Sequence, residues 1–251
     1  MVNVFNGGNL PIIKSQEKNA GIVRSSIIIS RTDLVEESES DAIKFGIIKF
    51  LKEIGSILNI VDIGNYKLGN QPYGSADWYQ EQAKTSTNKG LGEQVNGDKI
   101  FQLLLTEPYQ KNSPHYDFMI VDKDMRINDP NNNFVFGIGG YPNNVLSTRR
   151  FKNYIKDVSL RYMSFSIAAA HELGHNFDLT NRTFNTGKEG YHLGHCMGKS
   201  GSCLMEQSNV GNKTIETITR DIFDRQNWLC GDCKEEIAFR ISKIRELGIN
   251  I

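Results

Sequence analysis

Apolar residues recur at spacings of three and four between positions 40 and 58, at Ile43, Ile47, Phe50, Leu51, Ile54 and Leu58. That period traces one face of a helix, and the acidic SESD stretch supplies its start signals. Just upstream, IVRSSIIIS (22–30) is a β-branched run that predicts a buried strand. Strand then helix points to an α/β layer. Positions 60–90 are dense in turn formers around a short helix at ADWYQEQAK, and a second helix is expected over about 92–105 in spite of Gly97. HYDFMIVD (115–122) predicts another strand, KDMRINDPNNN a polar loop, and FVFGIGGYPNNVLSTRRF (134–151) a hairpin or edge strand turning at Tyr141–Asn144. Positions 151–177 read as one long helix, 180–195 as irregular chain rich in Gly and Asn, and 217–247 as helix, cysteine knuckle, helix. Residues 1–20 are polar and suit a loosely held arm with a short strand around Val4. The natural partition is an α/β part over 1–177 and a smaller irregular part over 178–251.

Composition narrows the function classes. The chain has 251 residues, is 39% hydrophobic and 23% charged, and carries no formal net charge. That is enough for one large core or two subdomains around a cleft. Zero net charge disfavours roles resting on bulk attraction to nucleic acid or a membrane surface. No stretch approaches the ~20 apolar residues of a membrane span. The segment MVNVFNGGNLPIIKSQ has no basic stretch followed by an apolar run, so it does not read as a secretory signal. A cytoplasmic monomer without nucleic-acid or membrane partners is the expectation.

Chemistry concentrates in SIAAAHELGHNF (166–177), which holds His171, Glu172 and His175 as H-E-x-x-H in an alanine-rich run that favours helix. Residues four apart share a helix face, so both imidazoles can reach one metal ion. Glu172 would sit beside that ion, where a general base toward water belongs. At this composition chance produces the pattern in about one chain in a hundred. A catalytic zinc takes three protein ligands and keeps one position open. Of the five histidines, His115 precedes a strand far upstream and is expected in a surface loop. His192 and His195 both follow the helix closely enough to return to the metal. The compact extension H-E-x-x-H-x-x-G-x-x-H is broken, because Asp178 and Asn181 stand where its Gly and third His belong. The four cysteines, Cys196, Cys203, Cys230 and Cys233, all fall in the last quarter of the chain. Clustered cysteines ending in C-x-x-C suggest metal ligands in a cytosolic chain, with two disulfides as the alternative if it is exported.

HELGH, the His195–Cys196 pair, C-L-M at 203–205 and C-G-D-C at 230–233 together resemble the archaemetzincins, zinc peptidases of the metzincin clan. The strand, Asp-containing loop and F-V-F-G segment upstream extend the resemblance over roughly 115–235. It implies a metzincin (zincin-like) α/β fold: an N-terminal mixed twisted sheet with a backing helix and the active-site helix, then a smaller C-terminal part with a four-cysteine zinc site and a terminal helix, one catalytic domain in all. It further implies two zinc ions per chain. His171, His175 and His195 would hold the catalytic one, Glu172 would be general base and proton shuttle, and Met205 would form the Met-turn beneath the metal. Cys196, Cys203, Cys230 and Cys233 would bind the structural one. A four-thiolate site is closed to substrate, and since His195 and Cys196 are adjacent, it would fix the backbone presenting the third ligand. Six residues separate Cys196 from Cys203 and 24 separate Met205 from Cys230, both longer than the family's usual spacing, as is the stretch between the second and third zinc histidines. His192 therefore stays a rival to His195. Many metzincins place a Tyr just after the Met, whereas Glu206 and Gln207 follow here.

The resemblance implies hydrolysis of peptide bonds in a peptide or protein substrate, with residues 134–140 along the cleft as an edge that extended chains can join. A catalytically vestigial, zinc-stabilised binding module is the alternative. A zinc-knuckle nucleic-acid adaptor is disfavoured by the neutral charge and single cysteine cluster.

Overall fold

The computed structural model describes residues 24–67, 73–85, 92–128, 133–177, 191–192, 195–196, 202–206 and 214–246. The expected arm at 1–20 and most of the irregular chain at 180–195 lie outside the described residues. The main sheet holds β1 (Ser26–Arg31), β2 (Asn59–Gly64), β4 (Tyr116–Val121), β6 (Gly137–Gly140) and β7 (Asn143–Ser147), in the order β2-β1-β4-β7-β6. The first four strands run parallel, and β6 closes the far edge antiparallel to β7, pairing Gly139 with Asn144. A smaller parallel pair joins β3 (Gln94–Asn96) to β5 (Asp124–Arg126).

Strand β4 is buried along its whole length, as a parallel strand covered on both faces must be. Its side chains alternate between two cores. Phe118 and Ile120 join Ile27, Ile29 and Leu146 against α1 (Glu37–Ile54) and α6 (Val158–Asn176). Met119 and Val121 join Val145 against α2 (Ala76–Gln82) and α3 (Gly97–Leu105). The short helices α4 (Pro108–Asn112) and α5 (Arg149–Tyr154) serve as connectors. The expected α/β fold is present, and the first core also takes in Cys196, Leu204, Met205, Ile218, Trp228 and Ile237 from the later part of the chain.

Several expected elements shift for local reasons. Helix α1 begins at Glu37 rather than Ser40, because Glu36 and Glu39 form a reciprocal capping box. It ends at Gly55, whose φ of 70° needs glycine. The helix expected over 92–105 is a strand followed by a helix: Asn96 accepts the Lys99 N–H at 3.1 Å and so starts α3 at Gly97. Strand β2 lies within the turn-rich 60–90 stretch, half exposed and without clean alternation. Strand β5 lies in the stretch expected as a polar loop. The long helix expected over 151–177 is divided, because the Asp157 carboxylate accepts the Leu160 N–H at 3.0 Å and begins α6 anew.

Helix α6 is buried on nearly every side from Ser164 to Gly174, so it shows no single apolar stripe. It meets α1 backbone to backbone. A Cβ on Gly46 would lie 2.0 Å from the Ser166 carbonyl oxygen, and the Ser166 hydroxyl donates to the Ala42 carbonyl at 2.7 Å. This crossing fixes the pitch at which α6 carries its C-terminal half to the site.

Candidate functional site

His171 and His175 stand one helical turn apart near the end of α6, with their Nε2 atoms 3.2 Å apart. A tetrahedral zinc with Zn–N near 2.05 Å sets its imidazole nitrogens about 3.3 Å apart, so this pair fits a common ion. His171 Nδ1 donates to the Leu204 carbonyl at 2.7 Å, which selects the tautomer whose Nε2 lone pair is available to a metal. Burial holds the His171 pKa below its ordinary value, which keeps the ring neutral and able to ligate.

Glu172, next to His171 in α6, is buried against the edge strand. Its carboxyl touches Gly137, where a Cβ would come within 2.4 Å of Oε1, and its backbone carbonyl faces Gly139, where a Cβ would come within 2.2 Å. Two glycines of β6 therefore let the sheet edge lie directly on the helix at this residue. Burial pushes the Glu172 pKa up to about 8.

Where His171 meets the Leu204 carbonyl, residues 203–206 form a tight turn in which the Glu206 N–H donates to the Cys203 carbonyl at 2.9 Å. Met205 is fully buried. The Glu206 carboxylate accepts the Cys203 N–H at 3.3 Å. The two-residue strands β8 (Tyr191–His192) and β9 (His195–Cys196) pair antiparallel, with His192 opposite His195. Strand β9 is drawn to the turn by the Cys196 N–H, which donates to the Met205 carbonyl at 2.8 Å. The backbone thus brings position 195 to the segment that also holds His171; the side chains of His192 and His195 lie outside the described residues.

All four cysteines converge. Their Sγ atoms lie within 4.8 Å of one another and could hold a metal ion, and none of the four forms a disulfide. The Cys196–Cys230 separation of 3.7 Å is far beyond the ~2.05 Å of a disulfide. It matches the ~3.8 Å edge of a tetrahedral zinc site with Zn–S near 2.3 Å. The thiols shift one another strongly: hydrogen bonds from Cys196, Cys203 and Cys233 hold Cys230 far below the usual range, while Cys203 and Cys233 are pushed up. Four sulfurs this close cannot all ionise without a cation to share. Two disulfides, the alternative for an exported chain, are not formed among these four cysteines.

His115 departs from the expected surface loop. It is 2% exposed, with Nε2 at 3.1 Å from Asp117 Oδ1 and Nδ1 at 2.7 Å from the Ser113 carbonyl. Its partner Asp117 lies two residues on, within β4, a cue that the HYD triplet contained.

No protein-family model matches the sequence, and no curated protein matches it significantly. Solved structures do match. The chain superposes on an archaemetzincin from Methanopyrus kandleri with a TM-score of 0.57 and 17% identity, covering 87% of this chain and 96% of that one. It also superposes on an archaemetzincin from Archaeoglobus fulgidus, solved with malonate, with a TM-score of 0.53 and 18% identity over 84% of this chain and 99% of that one. The fold is that of the archaemetzincins. No helix among the described residues is long and apolar enough to cross a membrane.

Proposed function

We propose that this chain, which has the archaemetzincin fold, is a zinc-dependent peptidase that hydrolyses peptide bonds in a peptide or protein substrate. The facing Nε2 atoms of His171 and His175, with the Glu172 carboxyl held beside them, carry the reading. His171, His175 and His195 would hold the catalytic zinc, Met205 would lie beneath it, and Cys196, Cys203, Cys230 and Cys233 would hold a structural zinc. A catalytic zinc, when bound, supplies Lewis acidity that lowers the pKa of water toward ~7 and stabilises developing negative charge. Glu172 takes a proton from the attacking water at its carboxylate and returns it to the leaving amine. Its burial, which raises its proton affinity, suits both halves of that shuttle. Strand β6, last in the sheet, offers backbone groups along the cleft to which an extended substrate can add as a strand. We infer that the parts on either side of residue 177 act as one catalytic domain, since residues after 196 share the core of α1 and α6. Four clustered cysteines that form no disulfide fit the reducing cytoplasm, and we propose that the protein works there as a monomer.

Metal analysis combined with turnover of a mixed peptide library tests this. Wild type should carry two zinc ions per chain and cleave. His195→Ala should lose one and His192→Ala neither; the reverse would make His192 the third ligand. Glu172→Ala should keep both ions and lose cleavage, and full turnover in that variant would refute the assignment of the base. Wild-type protein with both ions and no turnover would point instead to a zinc-stabilised binding module.

A further inference from the structure

Glu53 stands in the last turn of α1, far from the H-E-x-x-H in sequence, with its side chain 7% exposed. Its ion pair is a long one, with Lys234 Nζ 3.8 Å away. What its carboxylate holds closely is backbone. Oε2 accepts the Trp228 N–H and Oε1 the Leu229 N–H, each at 3.1 Å. Successive N–H groups turned to one anion form a small cradle that orients the peptide planes between them. The next N–H along, of Cys230, donates to Cys203 Sγ at 3.4 Å.

The consequence follows from the trans peptide. In the Trp228–Leu229 unit the N–H and C=O point in opposite directions, so fixing the Leu229 N–H on Glu53 aims the Trp228 carbonyl the other way. That carbonyl accepts the Leu204 N–H at 2.8 Å. The Leu204 carbonyl in turn accepts His171 Nδ1–H at 2.7 Å. A run of hydrogen bonds therefore joins a carboxylate on α1 to a proposed zinc histidine on α6. It passes between Cys203 and Cys230 of the cysteine cluster.

We propose that Glu53 is a positioning residue for His171, acting through the backbone at 228–229 and at Leu204. The contacts stand by themselves; their bearing on metal binding rests on the peptidase reading. Glu53→Gln keeps the shape of the side chain but turns an NH2 group toward one of the two N–H donors, so one link is lost. Outer partners of ligating histidines change metal affinity by about 10–100-fold. Glu53 acts at one further remove, so we expect about 3–10-fold weaker zinc binding at the histidine site in a chelator competition, with the cysteine-bound zinc retained. Lys234→Met, which removes the long ion pair and leaves the cradle intact, should bind zinc as wild type does. A purely structural role would lower thermal stability without changing the ratio of the two zinc affinities.

Hydrogen exchange provides a readout that needs no metal. In wild type the Leu204, Trp228 and Leu229 amides should be protected together, and in Glu53→Gln all three should exchange faster. Glu53→Asp, which withdraws the carboxylate by about 1.5 Å, should shift both readouts in the same direction. Unchanged histidine-site affinity in folded Glu53→Gln, or a Leu204 amide in wild type exchanging at the rate of open chain, would overturn the proposal. If wild type binds no zinc at His171 and His175, the peptidase reading fails, and the amide exchange still decides the role of Glu53.

Discussion

Replacing the β6 glycines one at a time by alanine tests how the sheet edge sits on α6. At position 139 the new Cβ would meet the Glu172 carbonyl oxygen at 2.2 Å and the Glu172 Cα and carbonyl carbon at 2.9 Å. All three are backbone atoms, so the strand and the helix must part by about 1 Å to restore ordinary contact. Overpacking of that kind costs about 1–3 kcal/mol, offset by about 0.4–1 kcal/mol from the stiffer unfolded chain. At about 2–4 °C per kcal/mol for a chain of this size, Tm should fall by up to about 10 °C, toward the upper end because the clash is with backbone that cannot rotate away. At position 137 the Cβ would lie 2.4 Å from Glu172 Oε1 and 2.6–2.7 Å from Cδ and Cγ, all side-chain atoms that can rotate away. Gly137→Ala should therefore cost less stability but displace the carboxylate, and a misplacement near 1 Å can lower turnover by about 100-fold. Gly140, whose Cβ would meet only the Phe101 ring at 3.5 Å, serves as the stability control, with Tm unchanged or slightly raised. Thermal unfolding and peptide turnover measured on the three variants should separate them. A Gly139→Ala protein as stable as wild type would show that β6 does not lie on Glu172. Wild-type turnover in Gly137→Ala would show that the carboxyl is not held where the mechanism needs it.

Two other measurements probe the supports of the site. Cys203→Ser should bring zinc content from two per chain to one and lower Tm by well over 10 °C, since a thiolate zinc centre contributes several kcal/mol or more of folding free energy; a cysteine variant of wild-type stability would argue that the cluster is not a metal centre. Burial lowers the His115 pKa, but the hydrogen bond and charge of Asp117 outweigh it, so the pKa stands above the ordinary value. A group raised in the folded state contributes stability below about pH 6.5, and that contribution is lost as pH rises through the folded pKa. Wild type should therefore lose a few degrees of Tm relative to His115→Gln on going from about pH 6 to 8, and parallel curves for the two proteins would refute the ion-pair account.

What the sequence determined by itself was local chemistry and period. The strand at HYDFMIVD, the amphipathic helix carrying Ile43, Ile47 and Phe50, and the spacing of His171 and His175 follow from how far apart like residues recur, a property of the chain alone. The hairpin around Tyr141 and the clustering of cysteines were visible on the same footing. Capping competition was harder to see: Asp157 and Asn96 each start a helix inside an apparently continuous pattern, because a side chain that captures an N–H outweighs a favourable period. Other features depended on which distant segments meet. That Gly137 and Gly139 rest on Glu172, that Leu204 offers its carbonyl to His171, and that Glu53 cradles the backbone before Cys230 are all contacts between residues of ordinary type in sequence. Their roles arise from close approach of backbones and from the direction of peptide planes, and neither is encoded in a residue's identity until the helices and the sheet are packed.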